Sequence, residues 1–406
     1  MEKIVDDELK KAYKQLKYWG IAAKELSDSK IIERVELLKK APRHSAIDEL
    51  YSSKYIWGVT AANLRNYDLS NLPIDLLYRT SFSNKTKWPS QDKLPKGFHP
   101  DKIIEQAKAF KGLGVEKLHE QGVTGKGVTI VYIDKPFDTR HIEFDSKKIE
   151  YIVRGDGEFN FHGYAVAARL AGQNMGIAKD INMIYYACGG IGKYNDYFTD
   201  YVSYELKILK DIIKRVENNE QIAAIGVSAS ISYHIYMLKN DRLKKRFEST
   251  FNELKKRLDE LGVPLIDSET FWDKGFSYCF KIDPKLPNDY VDNYFDRFSA
   301  MSNEEKMSVI DADKCIPLVY TLDSYKYENL IGSASWSIPQ VVGLYALAKQ
   351  IDKDLTFDEF VEITRKTLDP ANIHGVRLIN APNLIKEVQH QKQVKAESTL
   401  TISPEN

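Results

Sequence analysis

The feature that most constrains the fold is a series of short apolar runs separated by segments of helix length. Residues 128–133 have the sequence VTIVYI, residues 181–187 have INMIYYA, and residues 222–228 have IAAIGVS. Such runs, rich in β-branched and aromatic residues, are typical of strands buried on both faces of a parallel sheet. A long charged helix is predicted over residues 234–261, and another short strand at residues 263–266. This alternation predicts an α/β fold, with a parallel sheet and helices on both faces.

The chain divides by sequence character into three segments. Residues 1–100 are predicted to form a mostly helical N-terminal extension, within which residues 81–100, rich in Ser, Lys and Pro, indicate an exposed linker. Residues 101–390 carry the alternation of strands and helices and are predicted to form the main domain. Residues 391–406 form a polar C-terminal tail that we expect to fray.

The charge balance and the cysteine content exclude several classes of protein. The 58 basic residues are matched by 58 acidic ones, which argues against nucleic acid as a partner. No apolar run reaches the roughly 20 residues that a membrane helix needs, and the charged N-terminus lacks the apolar stretch of a secretory signal. Three cysteines are too few for a disulfide framework, and no motif of a metal site occurs. We therefore expect a cytoplasmic protein that uses no metal and no cofactor and binds neither nucleic acid nor membrane.

Three side chains suited to acyl transfer stand at the ends of predicted elements. Asp134 follows a strand, His162 opens a helix, and Ser335 lies where another helix would begin. Active residues of open parallel sheets gather beyond the carboxyl ends of the strands, and an acid, an imidazole and a hydroxyl are the parts of a catalytic triad. Taken alone, each residue has a simpler interpretation as a helix cap or a surface residue.

The segments around these three residues resemble those of the subtilisin-like serine proteases. LHEQGVTGKGV ahead of Asp134, HG at His162 and SASWSIPQVVG around Ser335 are similar to that family's segments and occur in the same order, over roughly residues 103–390. The last lies without gaps on the family's GTSMATPHVAG. The resemblance implies a subtilisin-like parallel sheet and a peptidase domain over residues 101–390. It also implies that Ser335 is the nucleophile, His162 the general base, and Asp134 the residue that fixes the imidazole tautomer.

The sequence departs from the family at the oxyanion site. The family's Asn donor, which contributes about 2.7–4 kcal/mol to transition-state stabilisation, corresponds here to Phe271. Thr270, Trp272 or Asn303 could supply another donor. Lys135 stands where the family has Thr. These departures leave open two alternatives to an active protease: a catalytically impaired pseudoprotease that binds peptides, and a scaffold whose N-terminal helices contact a partner.

The resemblance also implies a substrate cleft. The segment that pairs with the peptide backbone corresponds to Ser228, Ala229 and Ser230. The far wall of the pocket for the residue before the cleaved bond corresponds to Ser268, Glu269 and Thr270. If these residues alternate from a strand end, Asp267 and Glu269 share one face and favour Lys or Arg in the pocket. A solvent-facing Glu269 is the open alternative.

These implications combine into one expectation of function. We expect an intracellular serine endopeptidase that selectively processes a protein or peptide precursor rather than digesting proteins in bulk.

Overall fold

The computed structural model describes residues 62–78, 80–155, 157–189, 196–281, 292, 294–295, 306–310, 314–317, 321–328 and 334–401. The helices predicted within residues 1–45 lie outside the described residues. The helices and strands are, in chain order, α1 (Ile74–Tyr78), β1 (Phe82–Ser83), α2 (Pro100–Ala109), α3 (Val115–Glu120), β2 (Thr129–Asp134), β3 (Ile149–Arg154), α4 (Phe161–Ala171), β4 (Asn182–Cys188), α5 (Tyr197–Glu217), β5 (Ala224–Val227), α6 (Ile231–Tyr236), α7 (Asp241–Glu260), β6 (Leu265–Ile266), α8 (Ser268–Asp273), β7 (Phe276–Lys281), β8 (Tyr294–Phe295), β9 (Met307–Ile310), β10 (Lys314–Pro317), β11 (Tyr325–Glu328), α9 (Ala334–Ile351), α10 (Phe357–Lys366) and α11 (Ala381–Thr401).

A five-stranded parallel sheet lies at the centre of the fold, with the strand order β3–β4–β2–β5–β6. The middle strand, β2, pairs with β4 from Thr129 opposite Asn182 to Asp134 opposite Ala187, and it pairs with β5 on its other side. Asp134 is therefore at the carboxyl end of the middle strand. The predicted α/β class with a parallel sheet is confirmed.

Alternate residues of β2 face two different cores. Ile130 and Tyr132 are buried among residues of α4 and α9. Val131 and Ile133 are buried among residues of α5, α6 and α7. Successive side chains of a strand point to opposite faces, so a strand covered by helices on both sides must be apolar throughout. This explains the uninterrupted apolar run in the sequence and confirms the helices on both faces.

The long helix predicted over residues 234–261 is two helices, α6 and α7. The break occurs because Asn240 caps α7, its side-chain oxygen accepting the Leu243 N–H at 3.0 Å. The edge strand β3 was not predicted. Its side chains are only partly buried, and they include Glu150 and Arg154, so it lacks the apolar signal that identifies the inner strands.

The prediction of an exposed linker over residues 81–100 is wrong. Phe82 and Phe98 are completely buried, with their ring centres 5.9 Å apart, and Phe82 stacks on Tyr327. β1 pairs antiparallel with β11, so the segment forms part of a three-stranded sheet. The aromatic anchors stand at irregular intervals among turn-forming residues, which is why periodicity did not reveal them.

Residues 391–401 of the tail that we expect to fray belong to α11, which continues to Thr401, and residues 402–406 lie outside the described residues. Leu384 and Val388 are buried near the start of this helix. Farther along, Lys395 donates to Glu359 of α10 at 2.7 Å. None of the helices in the described part of the chain combines the length and the apolar character needed to cross a membrane.

Candidate active site

Asp134 and His162 are hydrogen-bonded at the carboxyl end of the middle strand. His162 lies in the first turn of α4, where Asn160 caps the helix by accepting the His162 N–H at 2.9 Å. The Nδ1 atom of His162 is 2.6 Å from Oδ1 of the buried Asp134, and the same oxygen accepts the Lys135 backbone N–H at 2.7 Å. A carboxylate only accepts hydrogen bonds, so in the neutral imidazole Nδ1 carries the proton and Nε2 keeps its lone pair.

Two opposing influences set the pKa of His162. Burial lowers the pKa, but the charge and the hydrogen bond of Asp134 outweigh burial, so the pKa lies above its ordinary value. The Lys135 ammonium acts against Asp134 by lowering the pKa. The net effect favours a protonated imidazole, which is the state a general base reaches when it has accepted a proton.

Ser335 is the second residue of α9, which begins at Ala334, and it is half-buried. Its hydroxyl donates to the Ser228 carbonyl oxygen at 3.1 Å. Among the described residues, no hydrogen bond joins the Ser335 hydroxyl directly to His162, although both side chains border the same cavity. N–H groups in the first turn of a helix have no carbonyl partner within that helix and can bind an anion.

A buried chain of hydroxyl groups fixes the main chain at Ser335. The Ser228 hydroxyl donates to the Ser335 carbonyl oxygen at 2.9 Å. It has only one proton, so in the 2.6 Å contact between Tyr132 and Ser228 the Tyr132 hydroxyl is the donor. Burial, together with the charge of Asp134, raises the pKa of Tyr132 far above its ordinary value, so this phenol keeps its proton.

The cavity bordered by Asp134, His162 and Ser335 has a volume of about 320 Å³. The carboxyl end of β5 and residues of α5 and α6 line the rest of it. A second cavity of about 390 Å³ lies near Lys366 and His390, and it contains none of the three predicted catalytic residues. Size alone therefore does not identify the site; the chemistry of the lining residues does.

Only part of the predicted substrate cleft borders the cavity. Ser228 and Ala229 line it, whereas the Ser230 hydroxyl caps α6 by accepting the Tyr233 N–H at 3.1 Å. Ser268 lies next to this segment, its N–H donating to the Ala229 carbonyl oxygen at 3.2 Å.

The expected alternation of Asp267 and Glu269 beyond a strand is wrong, because residues 268–273 form α8. Asp267 is the N-cap of this helix and accepts the Thr270 N–H at 2.9 Å, while Glu269 is exposed. Neither carboxylate borders the cavity. The solvent-facing alternative for Glu269 is the one seen in the structure.

Among the described residues, neither Thr270 nor Trp272, two candidates for the missing oxyanion donor, borders the cavity. Phe271 is completely buried and packs on Phe276. The Thr270 hydroxyl donates to the Leu265 carbonyl oxygen at 3.0 Å, and Trp272 packs edge-on against Phe271. Asn303 lies outside the described residues.

Four side chains that line the cavity and were not predicted as site residues are Lys135, Tyr197, Tyr201 and His234. A fifth unpredicted residue, Glu205, does not line the cavity but is hydrogen-bonded to His234. The Lys135 ammonium is 4.1 Å from the centre of the Tyr201 ring. Glu205 is completely buried and accepts from His234 Nδ1 at 3.0 Å. Burial raises the pKa of Glu205, against the opposing effect of His234. Tyr197 and Tyr201 are one helical turn apart, so the sequence alone places them on the same face of a helix. Their contact with Lys135 depends on the tertiary fold and cannot be predicted from this spacing.

Within the described ranges, no cluster of three or more His, Cys, Asp or Glu side chains is arranged to hold a metal ion.

No protein-family model matches the sequence, and no curated protein matches it. Among solved structures, the chain is similar to a cold-adapted subtilisin-like serine proteinase, with 14% identity and a TM-score of 0.40 over 64% of this chain and 90% of that chain. It is also similar to the PatG macrocyclase in complex with peptide, with 13% identity and a TM-score of 0.45 over 68% of this chain and 95% of that one. The prenylagaramide maturation protease PagA gives 14% identity and a TM-score of 0.41, over 68% of this chain and 98% of that one. With identities of 13–14% and TM-scores below 0.5, these similarities carry no further statement about this chain.

Proposed function

We propose that this protein is a serine endopeptidase that cleaves a peptide or protein precursor through Asp134, His162 and Ser335. One observation carries the proposal: His162 Nδ1 is hydrogen-bonded to Asp134 at 2.6 Å beside a cavity that Ser335 also borders. A serine hydroxyl becomes a nucleophile when an adjacent base accepts its proton and a third group orients that base. The sequence motifs around all three residues support the same roles.

In the proposed reaction, Ser335 Oγ attacks the substrate carbonyl carbon while its proton passes to His162 Nε2. Asp134 holds the Nδ1–H tautomer and stabilises the imidazolium that forms. The imidazolium then gives its proton to the leaving amine, and an acyl-serine remains. A water molecule, deprotonated by the same imidazole, hydrolyses the acyl group and restores the Ser335 hydroxyl.

The oxyanion side of the site favours a slow and selective enzyme. The N–H groups at the start of α9 offer donors and the positive end of a helix dipole. In the sequence, Phe271 corresponds to the family's Asn donor, and it is a buried core residue. Loss of one such donor lowers kcat by about a hundred- to a thousandfold. This rate suits selective processing of a precursor better than bulk digestion.

A peptide-binding pseudoprotease is the second candidate, and one observation favours it. The Ser335 hydroxyl donates to the Ser228 carbonyl oxygen at 3.1 Å rather than to His162. Rotation about the Cα–Cβ bond redirects a serine hydroxyl, and catalytic hydrogen bonds often tighten only when substrate binds. The active enzyme therefore remains the first proposal, with the pseudoprotease as its direct competitor.

Hydrolysis of a diverse peptide library, followed by mass spectrometry of the products, tests the proposal. The wild type should cut a restricted set of peptides, whereas Ser335→Ala and His162→Ala should cut none of them at a measurable rate. Ser249→Ala, which changes an exposed serine on α7, is the matched control and should cut like the wild type. Equal cleavage by the wild type and Ser335→Ala, or no cleavage by either, would refute the endopeptidase proposal.

A further inference from the structure

Lys135 directly follows Asp134, and its main chain is held from both sides. Its N–H donates to Asp134 Oδ1 at 2.7 Å, and its carbonyl oxygen accepts from the Tyr185 hydroxyl at 2.6 Å. The start of α4 presses against the same carbonyl, since a Cβ on Gly163 would lie 2.1 Å from the Lys135 oxygen. Only glycine permits this approach. The Lys135 side chain therefore leaves a fixed main chain and lines the cavity next to His162.

The Lys135 ammonium lies against two tyrosine rings of α5. Its Nζ atom is 4.1 Å from the centre of the Tyr201 ring and 4.7 Å from that of Tyr197, and it donates to the Tyr197 hydroxyl. Aromatic faces attract a cation without cancelling its charge. An ammonium has three N–H donors, of which the Tyr197 hydroxyl takes one. Within the described part of the chain, Lys135 has no ion pair with a carboxylate.

Asp134 and Glu205 are each hydrogen-bonded to an imidazole rather than to the Lys135 ammonium. Asp134 holds His162 Nδ1 at 2.6 Å, and the completely buried Glu205 holds His234 Nδ1 at 3.0 Å. Both carboxylates therefore have a nearer partner than Lys135. The lysine remains as a cation that lines the cavity and has no anion of its own among the described residues.

We propose that Lys135 makes this cavity select peptides that carry a carboxylate close to the segment bound at Ser335. A carboxylate beside Nζ would form a charge-assisted hydrogen bond in a cavity partly shielded from water. The inference rests on the proposed peptide-binding function, and it reverses the basic preference expected from Glu269, which is exposed and does not border the cavity. The carboxylate can come from an Asp or Glu side chain or from the C-terminus of the peptide.

A binding titration with the Ser335→Ala protein isolates recognition from cleavage. The probes are fluorescein-labelled, C-terminally amidated octapeptides of Ala and Leu, each with one Glu at a different position and each matched by a peptide with Gln instead. An octapeptide without Glu but with a free C-terminal carboxylate tests whether the recognised group is the C-terminus of the peptide rather than a side chain. We expect one probe with a carboxylate to bind about ten- to a hundredfold more tightly than its neutral match, the range for a hydrogen bond to a charged group. Added salt should reduce this ratio.

Variants of Lys135 assign the preference to its charge. In the same background, Lys135→Gln should bring the ratio to about one, while Lys135→Arg should keep a preference for the carboxylate. Lys244→Gln is the matched control, because the Lys244 ammonium lies 4.2 Å from the centre of the Tyr236 ring but does not border the cavity. It should leave the ratio unchanged. Should Lys135→Gln not fold, Lys135→Arg and the salt dependence decide the question.

Equal binding of the Glu and Gln probes at every position, together with no preference for the free C-terminus, would overturn the inference. A ratio that survives in a folded Lys135→Gln protein would overturn it too. Failure of the proposed function is separate from this result. If the protein binds carboxylate probes selectively but cleaves no peptide, the inference about Lys135 stands and the endopeptidase proposal fails. If it cleaves peptides without any charge preference, the endopeptidase proposal stands and the inference fails.

Discussion

The contact between Gly226 and Tyr132 links the sheet to the site, and replacing this glycine should perturb both. Gly226 lies in β5 beside the Tyr132 ring of β2. In Gly226→Ala, the new Cβ would lie 2.5 Å from Tyr132 Cε2 and 3.2 Å from a methyl carbon of Val342. The ring is completely buried, and its hydroxyl is held by Ser228 at 2.6 Å, so it has no free space to enter.

The cost of this substitution follows from the geometry. Carbon atoms pack at about 3.5–4.0 Å, so the ring must move by about 1 Å. Overpacking of this kind costs about 1–3 kcal/mol, and loss of the Tyr132–Ser228 hydrogen bond adds about 1 kcal/mol. Alanine also lowers the conformational entropy of the unfolded chain relative to glycine, which offsets about 0.4–1 kcal/mol of this destabilisation. We therefore expect Gly226→Ala to lower the free energy of unfolding by about 1–3.6 kcal/mol.

Urea unfolding of a double-mutant cycle measures this effect. The four proteins are the wild type, Gly226→Ala, Tyr132→Leu and the double variant. Removal of the ring gives the alanine Cβ room, so Gly226→Ala should cost about 1–2 kcal/mol less in the Tyr132→Leu background. A Gly226→Ala protein as stable as the wild type, or an equal loss in both backgrounds, would refute the assigned contact.

Three more predictions follow from burial and charge. The folded-state pKa of His162 is raised by Asp134, so the stabilisation from this pair is present below about pH 6.5 and is lost as the pH rises through the folded-state value. Asp134→Asn should therefore lower the free energy of unfolding more at about pH 5.5 than at about pH 9, and equal losses in urea titrations at the two pH values would contradict this. Phe82→Ala should destabilise the protein by about 3–5 kcal/mol, because this side chain is completely buried in the segment once expected to be a linker. The exposed Lys96→Ala is its control, and similar thermal unfolding of the two variants would show that the segment is not part of the core. Phe271→Asn restores the family's residue type but buries an amide, so it should destabilise by about 3–5 kcal/mol without faster hydrolysis; a stable, faster variant in the peptide assay would contradict the placement of Phe271.

Four of the five strands of the central sheet were predictable because their signal is local. Residues 130–133 (IVYI) are apolar at every position, and the fold requires this because helices cover both faces of β2. The positions of Asp134 at a strand end and His162 at a helix start follow from the same local pattern. The hydrogen bond between them was an expectation from the family resemblance, and the structure contains that contact at 2.6 Å.

The errors concern features that depend on distant parts of the chain. Phe82 is buried because Tyr327 and Phe98 pack on it, and no pattern near residue 82 signals this contact. The sequence pattern predicts that Asp267 continues a strand, whereas its side chain caps a helix. A short polar side chain after a strand can do either, and local sequence does not distinguish the two. In the sequence, Lys135 is only a departure from the family's Thr. Its tyrosine partners are on α5, which the fold brings to the same cavity.

The central claim is that His162 activates the Ser335 hydroxyl, and a fluorophosphonate probe tests it most directly. Intact mass and peptide mapping should show one adduct on Ser335 in the wild type and none in Ser335→Ala. Labelling of His162→Ala should be slower by at least about a hundredfold, the lower end of what general-base catalysis contributes. No adduct at Ser335 in the folded wild type, or labelling that is as fast without His162, would contradict the account.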